Sequence, residues 1–230
     1  MKKRVLFIVL LQFFVNCISS QTKNDSIYQI RDLVVQLTEK FLTVKGVELK
    51  PGMKMDELSR LFEAKGWKKT EMSDYAQEKF GVIDMKGMFF NRYDCGIQIL
   101  PTASNANIVG KIGIEFPDKD SFRDLLREYN EIKTALSKKY HLVASIESFD
   151  QANVENSSSD YLKLRALKNK EATFESTFHV DDKELSILLG SVTLRITNLT
   201  TDYDTRTFVF LKYCTSDDII DDYLHSDDDL

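Results

Sequence analysis

The sequence has few of the residues on which most recognisable active sites depend. Its 230 residues include only three histidines and three cysteines, and no cysteines form the close pairs that bind zinc or exchange disulfides. It contains no Gly-x-Ser-x-Gly turn and no glycine-rich phosphate loop. We therefore assign no catalytic, cofactor-binding or metal-ligating residue from the sequence.

The three histidines are scattered along the chain. A zinc site needs three or four ligands that converge on one point, often from close pairs in the sequence. We interpret His141 as a cation beside a helix end, His179 as a residue on the solvent side of a strand, and His225 as part of a C-terminal tail. The pattern gives none of them a catalytic or metal-binding role.

The sequence also lacks a basic patch and has little proline. Its formal net charge is −5, with 36 acidic residues against 31 basic ones. Nucleic-acid binders and proteins of anionic membrane surfaces carry clustered lysine and arginine, so neither class of partner is expected. A hydrophobic content of 43% with only three prolines indicates a globular chain rather than a disordered one.

The longest apolar run lies at the N-terminus. Residues 1–4 are cationic, residues 5–15 are apolar with one interruption, and small polar residues follow. This order is typical of a secretory signal peptide, and the run is too short for a membrane-spanning helix, which takes about 20 residues. We predict a signal peptide over 1–20 and a periplasmic or secreted protein. The alternative is a lipoprotein acylated at Cys17, but Asn16 fits poorly before a lipidated cysteine.

Hydrophobic spacing divides the rest of the chain into helices and strands. Apolar residues at helical spacing predict helices over 25–41, 55–64 and 121–140. Alternating patterns predict strands over 42–49, 67–76, 81–90, 95–100, 108–116, 142–149, 172–180, 185–197 and 207–214. Gly190 suggests a bulge within the strand 185–197, and residues 161–167 fit either a helical turn or an edge strand. The strand 207–214 is apolar on both faces, which predicts a central position.

The order of these elements predicts an α+β fold of two tandem units, each a helix packed on an antiparallel sheet of about four strands. The residues themselves repeat poorly, so the predicted repeat is architectural. The predicted divisions are a signal peptide 1–20, an N-terminal helix and strand 21–52, a first unit 53–117, a second unit 118–214 and an acidic C-terminal tail 215–230.

The C-terminus carries the strongest local bias in composition. Seven aspartates, and no lysine or arginine, stand in the last fourteen residues: Asp217, Asp218, Asp221, Asp222, Asp227, Asp228 and Asp229. Interleaved apolar residues at helical spacing predict a short docked helix followed by a solvated tail. The alternative is weak Ca²⁺ capture or a partner-binding tail, but a tight Ca²⁺ loop needs a glycine turn and this segment has no glycine.

The sequence is compatible with two covalent modifications, a disulfide and an O-glycosylated serine. An oxidising compartment permits a disulfide between Cys95 and Cys214, while Cys95 shares a strand face with Ile97 and Ile99, as a buried free thiol would. Ser26 lies in an Asp-Ser-Ile sequence that matches an O-glycosylation sequon of some Gram-negative periplasms. We keep the disulfide, the free thiols and the modified serine as expectations.

Short motifs over residues 42–214 resemble those of small exported proteins of unknown function from gut-type Gram-negative bacteria. They are Lys45-Gly46-Val47, Lys65-Gly66-Trp67, and the pattern Tyr-x-x-x-Lys-x-x-Leu-x-x-Lys-Tyr that ends at Tyr140. His141 stands where that group has glycine. The predicted architecture also resembles the β-lactamase inhibitory protein, which has two helix-plus-four-strand repeats. That likeness implies a protein-binding surface by analogy, and neither likeness supplies catalytic residues.

Two functions follow from different classes. The first is an exported, non-catalytic binding or inhibitor-like module whose partner is a macromolecule, most simply a protein, of the envelope or host. The second is an exported hydrolase with an unrecognised carboxylate site, since 36 acidic residues leave such a pair open. A deep cleft with convergent polar groups would favour the enzyme, and a broad shallow surface with exposed aromatic residues would favour the binding module.

Overall fold

The computed structural model describes residues 20–38, 40–182, 184–200 and 204–225. Most of the predicted signal peptide and the last residues of the predicted acidic tail, 226–230, lie outside the described residues. The helices are α1 Ser20–Thr38, α2 Met55–Ala64, α3 Ser73–Phe80, α4 Phe122–Ser137, α5 Ala152–Glu155, α6 Asp160–Lys168 and α7 Ser216–His225, with a 3-10 helix over Glu184–Leu189. The strands are β1 Leu42–Val44, β2 Val47–Leu49, β3 Lys68–Lys69, β4 Ile83–Phe89, β5 Arg92–Pro101, β6 Val109–Glu115, β7 His141–Phe149, β8 Ala172–His179, β9 Ser191–Thr200 and β10 Thr205–Cys214.

Eight of the strands form one antiparallel sheet in the order β3-β4-β5-β6-β10-β9-β8-β7, and β1 and β2 form a separate hairpin. The strands before residue 117 occupy one half of the large sheet, and the strands after residue 140 occupy the other half. The halves join where β6 pairs with β10, with Ile114 opposite Leu211. The α+β class predicted from the sequence is confirmed, and so is the central position of the last strand.

Most of the helices cover one face of this sheet, because the inner strands present most of their apolar residues to that side. Ile97 and Ile99 of β5 and Ile112 and Ile114 of β6 are at most 1% exposed. Helix α4 of this layer has 16 residues. It begins where the Ser121 hydroxyl accepts a hydrogen bond from the Asp124 amide at 3.1 Å, as an N-cap does. Its buried stripe is Phe122, Leu125, Tyr129, Ile132 and Leu136, which is the spacing predicted from the sequence.

The hairpin β1–β2 packs beside the end of α4 and completes the layer. Tyr140 holds it there, because its hydroxyl accepts from the Thr43 amide and donates to the Thr43 carbonyl, both at 3.0 Å. Gly190 makes this approach feasible, since a Cβ at that position would lie 2.4 Å from Leu42 Cδ1. Gly190 also has a φ of 107°, in a region that favours glycine.

Three predicted strands are wrong in whole or in part. The segment 42–49, predicted as one strand, forms the two strands of the hairpin β1–β2. The segment 67–76 contributes only Lys68 and Lys69 to the sheet and then forms α3, which ends where Gly81 adopts a left-handed φ of 67°. The predicted strand 185–197 begins as the 3-10 helix, and only the part after Gly190 pairs with neighbouring strands. The bulge predicted at Gly190 is therefore also wrong, because this glycine lies between the 3-10 helix and β9. Residues 161–167, for which two structures were open, form α6.

An ion pair with a buried carboxylate joins the two halves of the chain to each other. Arg92, at the start of β5, donates from Nε to the Glu128 carboxylate of α4 at 2.8 Å, and it also pairs with Glu131. The Glu128 side chain is 2% exposed, and Lys119 lies 3.7 Å from the same carboxylate oxygen. Its Oε2 atom has no hydrogen-bond partner among the described residues. The Glu128 carboxylate therefore depends on Arg92 for most of its compensation.

The acidic C-terminal segment begins with the docked helix that the sequence predicted, α7, which packs through one side while Asp222 and Tyr223 are exposed. Ile220 is fully buried. Asp217 pairs with Arg31 at 2.5 Å, Asp218 pairs with Lys111 at 3.1 Å, and Asp221 accepts from the Ser104 amide at 2.8 Å. Burial raises the pKa of the Asp218 carboxyl, while Lys111 opposes that shift. These aspartates therefore hold α7 against the rest of the fold.

Candidate functional site: the open face of the sheet

The face of the large sheet opposite the helices is largely open. One row of cross-strand partners crosses all eight strands on this side: Ile146, Glu175, Arg195, Phe210, Glu115, Gly96, Lys86 and Lys68. A row of this kind alternates with the buried positions, because side chains on a strand point to opposite faces. Helix α7 covers only the end of the face near Lys111, which it contacts through Asp218.

Two glycines in neighbouring strands form the floor of a depression in this face. Gly96 of β5 pairs with Glu115, and Gly113 of β6 pairs with Gln98. The depression has a volume of about 500 Å³ and is partly open to solvent. A Cβ at Gly96 would meet nothing closer than Glu115 Cβ at 3.7 Å, so the space above this glycine is free.

The wall on the β10 side of the depression is a stack of flat groups. The Phe210 ring lies across Gly113, because a Cβ there would be 2.8 Å from Phe210 Cζ. The Arg195 guanidinium lies over the same ring at 5.2 Å from its centre, within the range of a cation–π contact. Any side chain at position 113 would displace the ring, so the glycine fixes the shape of this wall.

Carboxylates dominate the polar lining of the depression. Asp84, Asp94, Glu115 and Asp118 line it together with two cationic residues, Lys86 and Arg206. Glu115 pairs with Arg206 at 3.1 Å. The three aspartates form no ion pair within the part of the chain that the structure describes. The depression therefore presents a local excess of negative charge, which a cationic group would compensate.

The hairpin that joins β4 to β5 stands beside the depression and carries exposed aromatic side chains. Tyr93 is 74% exposed and Phe90 is 38% exposed. Phe90, Asn91 and Asp94 have φ angles of 44°, 58° and 60°. A left-handed backbone at a phenylalanine is costly and persists only where the surrounding structure fixes it. The fold thus holds an exposed aromatic ring in a strained turn next to an acidic surface.

A second polar cluster lies on the helix side of the edge strand β7, and its geometry argues against a nucleophilic serine. Ser145 Oγ is 2.9 Å from Ser176 Oγ, which is 2.7 Å from the Tyr129 hydroxyl. Lys133 Nζ donates to Ser145 at 2.8 Å and also to the Glu147 carboxylate. Serine catalysis needs a neighbouring base that accepts the hydroxyl proton. Ser145 Oγ does donate to Glu147 Oε1 at 3.1 Å, but Lys133 holds that carboxylate in an ion pair and its pKa is lowered, so it is a weak base.

The pKa shifts in this cluster have structural causes. Burial raises the pKa of Tyr129 to about 12, against a smaller opposing effect of the Ser176 hydrogen bond. Desolvation acts to raise the pKa of Glu147, but hydrogen bonds from Lys133 and Ser145 outweigh it and lower that pKa. The cluster therefore fastens α4 to the edge of the sheet.

The structure brings together two of the three histidines, which the sequence left apart. His141 of β7 and His179 of β8 are cross-strand partners, and His179 Nδ1 is 3.4 Å from Ser186 Oγ. Burial, and then the neighbouring His141, lower the pKa of His179. The side chain of His225 is not among those described. Within the described ranges, no group of three or more histidine, cysteine or acidic side chains could hold a metal ion.

The two cysteines lie on opposite faces of the sheet. Cys95 shares the helix-covered face with Ile97, whereas Cys214 is opposite Lys111 and Ser191 on the other side. Both are buried free thiols, and burial raises the pKa of Cys95 to about 11. A disulfide needs Cα atoms within about 7 Å and Cβ vectors that point toward each other, so this arrangement favours the free-thiol interpretation. Ser26 lies in α1, half-buried, and its modification stays a prediction.

Comparison with known proteins adds no relative. No protein-family model, no curated protein and no solved structure matches the chain. Among the described residues, no helix combines the length and the apolar character needed to cross a bilayer.

Proposed function

We propose that the protein is an exported, non-catalytic binding module whose partner, a protein of the envelope or host, docks on the open face of the sheet. One observation carries the proposal: a sheet covered by helices on one side presents, on the other side, a glycine-floored depression of about 500 Å³ beside exposed aromatic residues. A broad shallow surface of this kind suits a macromolecule better than a small substrate, which is usually enclosed.

The charges of the depression specify the chemistry of the partner. Asp84, Asp94 and Asp118 surround the floor without an ion pair to the described residues. A lysine or arginine of the partner, placed above Gly96, would neutralise this surface and guide the encounter. Phe90 and Tyr93 would supply the aromatic contacts that interfaces favour. The partner segment is therefore basic, with apolar residues at its margin.

Two further parts of the proposal come from the sequence. The cationic start and short apolar run of residues 1–20 support export to the periplasm or the exterior. The four strands on each side of the β6–β10 junction, each set preceded by a helix, support the interpretation as two helix-plus-sheet units in tandem. The likeness to an inhibitory protein enters as analogy alone.

An exported hydrolase is the second candidate, because four carboxylates line one depression. A carboxylate pair needs a defined separation, and a hydrolytic site gains from the exclusion of water. The depression is only partly enclosed, which favours the binding module. Turnover on a generic ester, peptide, phosphate or glycoside substrate that disappears in Asp84→Asn or Glu115→Gln, with the fold intact, would establish the enzyme instead.

The binding proposal predicts the effect of filling the depression. Gly96→Phe should weaken binding of the partner by roughly tenfold or more, because the ring would occupy the space above the floor. Thr173→Phe is the matched control, since it adds the same ring to an exposed position of the same face, on β8 and outside the depression.

Proteins captured from the extracytoplasmic fraction of the host by the wild type would be purified and titrated against each variant by calorimetry. We expect wild type and Thr173→Phe to bind alike, and binding to weaken at high ionic strength. Equal affinities for all three proteins would contradict the proposal, as would a partner that binds more tightly when Asp84 and Asp118 are changed to asparagine.

A further inference from the structure

The two edges of the large sheet are built differently. The β3 edge has two residues, Lys68 and Lys69, both exposed. A short edge of lysines blocks the addition of another strand, which is how proteins protect a free edge. The β7 edge, by contrast, has nine residues, His141–Phe149, without a lysine, arginine or proline. Within the ranges that the structure describes, the β7 edge is therefore the one that is open to another strand.

The side chains of β7 are also more exposed than those of a protected edge. Leu142, Val143 and Ile146 are 37%, 50% and 56% exposed, and every residue from His141 to Ser148 is exposed. Both faces of the strand therefore contact solvent. A long apolar edge of this kind is a site for pairing with another chain.

We propose that β7 of one copy pairs antiparallel with β7 of a second copy, which makes the protein a two-fold symmetric dimer with one continuous sheet. The pairing with β8 is irregular between Leu142 and Ala144, so Ala144–Phe149 is the regular part that can pair. In the register centred on Ile146, Ile146 of one copy lies directly opposite Ile146 of the other copy. Ser145 then faces Glu147, and Ala144 faces Ser148.

The charges on and beside β7 favour this register and favour a second copy of the chain as the partner. Glu147 is the one residue of β7 that carries a full charge at neutral pH, and it is already compensated by Lys133 of its own chain. The Ile146-centred register places each Glu147 opposite an uncharged serine. A register centred on Glu147 would place two carboxylates opposite each other, which is destabilising. The strand is thus complementary to itself about Ile146, as a two-fold interface requires.

The dimer would arrange the two open faces on the same side. With a two-fold axis normal to the sheet, the row of cross-strand partners that contains Gly96 continues through the two Ile146 residues into the second copy. Eleven strand spacings separate the two Gly96 positions, which is about 50 Å at the usual spacing between strands. The resulting bivalence rests on the proposed function, because it would let one dimer bind two sites of a partner array at once. The dimer itself does not depend on it.

The first test is the mass of the purified exported protein in solution. Sedimentation velocity should show a dimer that dissociates on dilution. Ile146→Lys should give a monomer at all concentrations, because it places two ammonium groups opposite each other at the two-fold axis. Leu199→Lys is the matched control, since Leu199 is 43% exposed on β9, away from the edge, and this variant should remain dimeric. A wild type that stays monomeric, or an Ile146→Lys variant that stays dimeric, would overturn the proposal.

The second test fixes the register and does not depend on the first variant. Ile146→Cys should form a disulfide-linked dimer on mild oxidation, because directly opposed residues have Cα atoms about 4.5–5.5 Å apart, within the range of a disulfide. Cys95 and Cys214 are buried and should not compete. Ser148→Cys, which faces Ala144 in this register, should not cross-link. Equal cross-linking of both variants would contradict the register, and cross-linking of neither would contradict the dimer. Both readouts concern only the protein itself. Failure of the dimer tests therefore leaves the partner-binding result unaffected, and failure of partner binding leaves the dimer tests unaffected.

Discussion

Leu125→Asp should abolish cooperative folding of the protein. Leu125 is fully buried on α4, between the helix and the sheet. Loss of a leucine from such a position costs about 2–5 kcal/mol, and burial of an unpaired carboxylate adds a further penalty of several kcal/mol. The sum is comparable to the whole stability of a typical domain, about 5–15 kcal/mol. Circular dichroism and urea unfolding would measure the effect.

Asn130→Asp is the control for this experiment. It introduces the same carboxylate at an exposed position of the same helix, so its free energy of unfolding should stay within about 0.5 kcal/mol of the wild type. A Leu125→Asp variant that unfolds cooperatively within about 1 kcal/mol of the wild type would mean that α4 does not bury this face.

Arg92→Met should cost about 3–5 kcal/mol of stability, although Arg92 lies partly at the surface. The substitution leaves the Glu128 carboxylate buried without its closest cation, and breaking one side of a buried ion pair typically costs this much. Lys119, at 3.7 Å, is too far away to replace the 2.8 Å hydrogen bond that Arg92 supplies.

The double variant Arg92→Met, Glu128→Met separates this explanation from lost packing. It removes both charges, so it should recover a large part of the stability that Arg92→Met loses. Arg127→Met should change stability by less than about 1 kcal/mol, because Arg127 pairs at the surface with Asp124. A double variant as unstable as the single one would show that the ion pair does not explain the effect.

Residues close in sequence could be placed from the sequence, because their positions depend on local periodicity. The stripe of α4 follows from apolar residues at helical spacing, and the central place of β10 follows from its apolar residues on both faces. The strand predicted over 67–76 was wrong because the few apolar residues of this segment match neither the helical nor the strand spacing. Trp67 is the one large apolar residue of this segment that is buried, and α3 is a helix of only eight residues.

The candidate site could not be predicted, because strand pairing between distant residues creates it. Gly96 and Gly113 become neighbours only through the register of β5 with β6. Arg195 reaches Phe210 across the β9–β10 pair. Single glycines in a strand weakly suggest a close approach or a depression, and that was the one available signal. The pairing of His141 with His179 escaped prediction for the same reason.

The most direct test of the central claim is carboxyl labelling of the protein alone and in complex with its partner. Asp94 and Asp118 line the depression and are exposed, whereas Asp74 of α3 and Asp150 after β7 are exposed outside it. A carbodiimide label read by mass spectrometry reports the accessibility of each carboxylate. If the open face is the docking surface, the partner should protect Asp94 and Asp118 and leave Asp74 and Asp150 labelled. Protection of Asp74 or Asp150, with Asp94 and Asp118 still labelled, would contradict it.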